Sequence, residues 1–337
     1  NGFGRIGRII TRIILEKKNI KVVAVNDIDN DLKNFFYLLK YDSIYGVLKK
    51  DISISKNNLI VNKNKIKFFS KKNIDKVSWK EEKVDIVIDA TGVESNLKNS
   101  KKIIKSGVKK VIVTHSPKSH VDFFMIMGVN EKKYNYRSHN IISSSICDAS
   151  ALGPVLKEIN AKWEIENGFI TTLHSMLAYQ NVLDGSLKSI SNPTHTWKDY
   201  SLGRNSMASL IPKNTTSINA TITCLPQLKN KISGISFRVP TSIICGSDLS
   251  LKVRKNLNKE EIKNFFKEIS KQKSKIFGYQ TEKLVSIDHL KTDKSAIIDS
   301  NYIDVLNNNF IKMVIWYDNE WGYGNRVVDI ANYILKK

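Results

Sequence analysis

Three glycines at the start of the chain, Gly2, Gly4 and Gly7 in Asn1-Gly2-Phe3-Gly4-Arg5-Ile6-Gly7-Arg8, constrain the fold more than any other feature. At this spacing the first glycine permits a tight turn, the second lets backbone approach a bound group closely, and the third lets a helix pack against a strand. The same spacing occurs in plain strand-to-helix turns, so its surroundings decide. Apolar residues at Ile6, Ile9, Ile10, Ile13 and Ile14 give a helical period over Arg5 to Lys17, and Ile20 to Val25 reads as a strand. The result is one β-α-β unit without its opening strand. The sequence starts inside the motif with no initiator Met, so we expect an N-terminal truncation that exposes the sheet centre and lowers stability.

The pattern continues in kind. Asp31 to Lys40 reads as a helix, and the alternating segments Asp51 to Ser55 and Asn58 to Phe69 as antiparallel ribbon strands. Val84 to Ala90, Val111 to His115 and Phe123 to Gly128 are buried-strand candidates, with a basic amphipathic helix over Asn96 to Lys105. Such alternation predicts a Rossmann-type, doubly wound parallel α/β sheet. After Cys147 a helix over Ala149 to Ile159 leads into longer β-rich segments, Trp163 to Met176, Ile232 to Val239 and Ser242 to Val253. A helix over Lys259 to Lys271, a strand over Phe310 to Tyr317 and a closing helix over Tyr323 to Leu335 follow. We therefore expect a dinucleotide-binding domain over residues 1–147 and an α+β catalytic domain with a mostly antiparallel sheet over 148–318. Residues 319–337 should return to the first domain, with the active site between the two.

Composition narrows the function classes. Lysine and arginine number 54 against 32 acidic residues, a formal net charge of +22 that a nucleic-acid binder could use. The excess is scattered lysine without an arginine cluster, zinc-finger spacing or aromatic RNA-binding signature, so no specific nucleic-acid partner is expected. Apolar runs such as Phe123 to Val129 fall far short of a bilayer span, which needs about 20 residues, and no secretory leader is visible. A cytoplasmic location is expected by default, with no membrane partner. The three cysteines, Cys147, Cys224 and Cys245, form no CxxC pair, so neither a disulfide framework nor a structural metal is expected.

Context sharpens the glycine motif. The helix opening at Gly7 would aim its positive end at phosphates. The next strand ends at Asn26-Asp27, where Asp27 fits a ribose-hydroxyl acceptor and repels a 2′-phosphate. NAD is thus expected over NADP, held by Gly2, Phe3, Gly4, Arg5, Ile6 and Asp27, with Thr91, Gly92 and Thr114 at later strand ends.

Cys147 lies after a short strand and at a helix start, a position that favours a thiolate. A lone cysteine is more often inert, so a partnered base is required. Of the six histidines, His174 in Thr171-Thr172-Leu173-His174-Ser175 ends a strand instead of sitting in a basic loop. Here the chain resembles the glyceraldehyde-3-phosphate dehydrogenase family along essentially its whole length. The shared segments are NGFGRIGR, VNDI around Asp27, KYDSIYG at 40–46, ATG at 90–92, GVN at 128–130, the cysteine segment, TTLH, SLIP at 209–212, FRVPT at 237–241 and WYDNEWGYGNRVVD at 316–329. The resemblance implies Cys147 as nucleophile, His174 as its base, and Asn319 as the residue that fixes the nicotinamide carboxamide. It also implies thioester chemistry and a homotetramer in which the segment around 180–212 meets a neighbouring subunit.

Some positions depart from the family. Serine usually precedes the nucleophile and threonine follows it, both helping to hold phosphate, whereas this chain has Ile146 and Asp148. Leu177 replaces a threonine that contacts the substrate's C3 phosphate. Within Tyr200 to Arg204 only Arg204 supplies a cation. Thr215 and Arg238 match the remaining phosphate ligands, beside Thr216, and Lys213 and Lys118 are available to compensate. The loop Ser191 to Tyr200, with His195, Trp197 and Lys198, lines the neighbouring cofactor pocket in the family. The resemblance implies oxidation of glyceraldehyde 3-phosphate to 1,3-bisphosphoglycerate. Ile146, Asp148 and Leu177 keep open a paralogue that acts on another phosphorylated aldehyde, such as erythrose 4-phosphate, with water as acyl acceptor. A non-catalytic RNA binder is the third reading, opposed by the Cys147 and His174 pair.

Overall fold

A computed structural model describes residues 1–186 and 199–337. The chain forms two compact units, one of residues 1–125, 132–145 and 324–337, the other of 126–131 and 146–323.

In the first unit α1 (Arg5–Leu15) buries Ile9, Ile10, Ile13 and Ile14 on one side and leads to β1 (Ala24–Asn26). α2 (Leu32–Lys40) starts at Asp31, whose side chain accepts from the Lys33 and Asn34 amides, both at 3.0 Å. A short ladder of β2 (Tyr41–Asp42) and β3 (Gly46–Val47) precedes the meander of β4 (Ile52–Ser55), β5 (Asn58–Val61) and β6 (Asn64–Phe69). The single ribbon strand expected over Asn58 to Phe69 is thus two, folded back at Asn62 and Lys63, whose φ values of 45° and 69° make a hairpin turn. β7 (Ile86–Asp89), α3 (Glu94–Lys105), β8 (Lys110–Val113), β9 (Phe123–Phe124) and β10 (Ile141–Ser143) complete the parallel part.

The sheets run β1-β6-β5-β4 and β7-β8-β10-β9, the second wholly parallel. Among the described residues β1 forms a strand ladder only with β6, in parallel. Across from it a cleft of about 420 Å³, lined by Val23, Ala24 and Val25 and by Ile86, Val87 and Ile88, separates it from β7. With a ladder on one side only, Ile20 to Val23 stay outside the strand expected for them. The expected strand Phe123 to Gly128 also stops early, because Asn130 Oδ1 takes the Ile126 amide at 2.9 Å and turns the chain. Cores form under each sheet, around Phe3, Phe35, Leu59 and Ile66, and around Leu97, Ile103, Val111 and Val113.

The second unit is built on α4 (Cys147–Trp163) and a seven-stranded sheet in the order β12-β13-β11-β14-β17-β16-β15. Its strands are β11 (Ile165–Ser175), β12 (Ile211–Asn214), β13 (Ile232–Val239), β14 (Cys245–Val253), β15 (Phe277–Gln280), β16 (Ala296–Leu306) and β17 (Phe310–Tyr317). Only β11 with β13 and β15 with β16 pair in parallel. α5 (Ser217–Cys224) packs on α4, and α6 (Lys259–Gln272) on β15 and β16. Among the described residues no helix is long and apolar enough to cross a membrane. The last helix, α7 (Trp321–Leu335), belongs from Gly324 onward to the first unit, where a Cβ on Gly324 would lie 2.8 Å from Ile13 Cδ1 of α1.

Candidate active site

The glycine turn of the first unit sits where parallel strands end. Gly2, at φ 82°, donates its amide to Asn26 O at 2.8 Å, and a Cβ on it would meet Thr91 Cγ2 at 2.7 Å. A Cβ on Gly7 would stand 2.0 Å from Gly2 O, so a larger residue there forces the turn apart. Gly4 differs. A Cβ there meets nothing within 4 Å, which leaves open space over the N-terminus of α1. Asp27 directly follows β1 and steadies the turn, its Oδ2 accepting from Phe3 N at 2.6 Å and its Oδ1 from Asp29 N at 3.1 Å. Arg5 is ion-paired to Asp42 at 2.8 Å, and Ile6 is half-buried on α1. Thr91 Oγ1 donates to Asp89 Oδ1 at 2.8 Å and accepts from Val93 N at 3.1 Å; Gly92 follows at φ 69°. Thr114 closes on the same strand end, its amide 3.0 Å from Asp89 O. Open space beside a helix N-terminus and a carboxylate just past the next strand fit a dinucleotide.

The second unit holds the reactive groups. α4 begins at Cys147 because Ile146 is extended, with φ −127° and ψ 164°, and its carbonyl takes the Ser150 amide at 2.9 Å. Cys147 Sγ lies 3.6 Å from His174 Nε2, at the end of β11. His174 Nδ1 is 2.7 Å from the Ser175 carbonyl. A carbonyl only accepts, so Nδ1 carries the proton and Nε2 presents a lone pair to the sulfur. Burial, with Arg238 and Lys213 adding repulsion, lowers the His174 pKa to about 4, while Asp148 pulls the other way. Burial, then the Asp148 carboxylate, pushes the Cys147 thiol well above its ordinary range. In this state the pair is thiol and neutral imidazole.

Asp148 is buried and faces both the nucleophile and the base. Its Oδ1 lies 3.6 Å from Cys147 Sγ and 3.7 Å from His174 Nε2, and accepts from the buried Tyr317 hydroxyl at 2.7 Å. Asn319 Oδ1 accepts from Ser175 Oγ at 3.2 Å, which ties the segment after β17 to the strand that carries His174. Arg238 on β13 pairs in register with His174. Its guanidinium is buried, and Nε and Nη1 have no partner among the described residues.

The other anticipated ligands are scattered. Arg204 pairs with Asp184 at 2.8 Å. Thr215 accepts the Ser217 amide at 3.0 Å, Thr216 forms the N-cap of α5, and Leu177 leaves β11 to bond Gln180 through its amide. Lys213 lies on β12, within electrostatic reach of His174. His195, Trp197 and Lys198 lie outside the described residues. Tyr317 and Ser175 were not anticipated, although β17 alternation places Tyr317 on the buried face with Met313 and Ile315.

Comparison with known proteins decides the family. Residues 1–97 match the glyceraldehyde 3-phosphate dehydrogenase NAD binding domain, and 146–319 its C-terminal domain. The chain belongs to the glyceraldehyde-3-phosphate dehydrogenase family. Glyceraldehyde-3-phosphate dehydrogenase 1 of Kluyveromyces marxianus is 40% identical over 335 residues, 99% of this chain and 98% of the relative. The second such enzyme of Saccharomyces cerevisiae is 40% identical over 339 residues, covering 100% and 98%. That of Priestia megaterium is 38% identical over 338 residues, covering 100% and 97%. As a member of the glyceraldehyde-3-phosphate dehydrogenase family the protein is an NAD-dependent oxidoreductase acting on an aldehyde.

Proposed function

We propose that this protein oxidises glyceraldehyde 3-phosphate with NAD to 1,3-bisphosphoglycerate through a thioester on Cys147. The observation that carries the proposal is Cys147 Sγ at 3.6 Å from a His174 Nε2 held unprotonated by the Ser175 carbonyl. As the sulfur attacks the aldehyde carbon, Nε2 receives the thiol proton and returns it to the carbonyl oxygen. His174 then takes the hydroxyl proton of the hemithioacetal while its C–H hydride departs, leaving a thioester. When bound, NAD supplies the hydride acceptor. A phosphate oxygen attacks the thioester carbonyl, the C–S bond breaks, and the sulfur regains a proton from His174.

Gly2 to Ile6, Asp27, Thr91, Gly92, Thr114 and Asn319 are the proposed cofactor contacts. Arg238 is the proposed anion ligand, since Nε and Nη1 of its buried guanidinium have no hydrogen-bond partner among the described residues. Thr215 and Thr216 assist, and Arg204 would first exchange its ion pair with Asp184. A cytoplasmic homotetramer is part of the proposal, checked by sedimentation of the full chain.

NADH formation with glyceraldehyde 3-phosphate tests the reaction, with and without inorganic phosphate and beside Cys147→Ser. Turnover that requires both phosphate and Cys147 is expected. Turnover indifferent to phosphate, or absent with this aldehyde and present with erythrose 4-phosphate, overturns it.

A further inference from the structure

Cys147 Sγ, His174 Nε2 and Asp148 Oδ1 form a nearly equilateral triangle, with separations of 3.6, 3.6 and 3.7 Å. Zinc bonds of about 2.3 Å to sulfur and about 2.1 Å to nitrogen or oxygen place the donors of a tetrahedral site roughly 3.4 to 3.6 Å apart. The three atoms therefore stand where one face of such a tetrahedron needs them, without any backbone movement. The surroundings match as well. Metal-binding imidazoles commonly donate their other nitrogen to a carbonyl, and ligating carboxylates are themselves hydrogen-bonded. Here Nδ1 is held by the Ser175 carbonyl and Oδ1 by the Tyr317 hydroxyl. Cys147 is only partly buried while His174 and Asp148 are buried, so the sulfur side is where the ion and its fourth ligand, a water, would enter.

We propose that these three side chains form a reversible inhibitory site for Zn²⁺, with Asp148 supplying the ligand that turns a Cys–His pair into a tridentate chelate. Binding breaks the Cys147 S–H bond, the proton passes to solvent, and sulfur, nitrogen and oxygen lone pairs form three bonds to the ion. No oxidant is involved. The sulfur pair needed to attack an aldehyde is then committed to the metal, so inhibition is competitive with the aldehyde. Mixed S, N and O donors select zinc over magnesium or calcium, which require oxygen sets. The Arg238 guanidinium opposes a second cation nearby and keeps binding weaker than at a dedicated structural site.

The inhibition rests on the reading of Cys147 as nucleophile, but the coordination does not. Zn²⁺ titrated into the metal-free full chain against a chromophoric zinc indicator should show one site. Co²⁺ in its place should give the sulfur-to-metal charge-transfer band and tetrahedral ligand-field bands. Asp148→Asn should weaken Zn²⁺ at least tenfold and Cys147→Ser should abolish the charge-transfer band, whereas Cys245→Ser should keep both. NADH formation should fall with Zn²⁺ and recover with EDTA. A cobalt complex of the unsubstituted protein without the charge-transfer band overturns the site, as does equal zinc affinity in Asp148→Asn. Zinc bound as described by a chain that oxidises no aldehyde would leave the site standing and reject the proposed function.

Discussion

The Tyr317 hydroxyl donates a 2.7 Å hydrogen bond to Asp148 Oδ1, the oxygen that also faces Cys147 Sγ and His174 Nε2. Tyr317 closes β17 and Asp148 opens α4, so this bond joins sheet to helix where the reactive groups meet. Tyr317→Phe keeps the ring and removes the donor, leaving a buried carboxylate oxygen short of its partner. The expected cost is about 1 to 3 kcal/mol, read as a lower urea midpoint with an unchanged slope. An unchanged midpoint would show that the bond adds nothing to stability.

Asp148 also sets the reactivity of the sulfur. Burial is the largest influence raising the Cys147 pKa and the Asp148 charge comes next. Replacing the carboxylate with an amide removes only the second. The pH profile of Cys147 alkylation by iodoacetamide should therefore move to lower pH in Asp148→Asn, giving faster labelling at neutral pH. A profile displaced upward would mean that Asp148 aids the thiolate through His174 more than it repels it.

His174, lowered to about 4, fixes a pH window. Its folded pKa lies below the ordinary value of about 6.5, so between these two values the unfolded chain binds the extra proton. The stability that follows from keeping His174 neutral is complete above about pH 6.5 and is lost as pH falls toward 4. In chemical denaturation across this range His174→Gln should show a flatter dependence of stability on pH than the unsubstituted protein. Parallel curves would mean that His174 titrates normally.

The sequence makes the cofactor turn and the Cys147 and His174 pair legible because each depends on local pattern: glycines a fixed distance apart, a cysteine at a helix start, a histidine at a strand end. It shows β17 plainly for the same reason. β16 escapes notice because Asp299, Ser300 and Asn301 interrupt its apolar run, and its ladder carries a register shift between Asp299 and Asp304. The strand holds partly through Asp299, which accepts from Trp316 Nε1 at 3.0 Å. The contacts of Asp148 escape the sequence for a related reason. Its place beside Cys147 is plain, but its hydrogen bond to Tyr317, far along the chain, is not.

The glycine turn separates folding from binding. Gly7→Ala places a methyl group 2.0 Å from Gly2 O and should cost both stability and NAD affinity. Gly4→Ala meets no protein atom within 4 Å. Its urea midpoint should shift by no more than about 0.5 to 1 kcal/mol, while NAD titration followed by fluorescence weakens at least tenfold. If Gly4→Ala bound NAD as tightly as the unsubstituted chain, the open space over α1 would not be where the pyrophosphate lies.

Arg238 sets stability against function. A buried guanidinium whose Nε and Nη1 have no partner among the described residues carries a desolvation cost. An anionic ligand would supply the missing acceptors, and the register of β13 against β11 places Arg238 beside His174. Arg238→Met, which keeps much of the apolar stem, should leave the urea midpoint unchanged or raise it, since it removes two buried, unpartnered donors from the interior. The same change should raise the apparent KM for phosphate or for the phosphorylated aldehyde by more than tenfold. A stability loss without a change in either KM would show that Arg238 supports the sheet and not an anion.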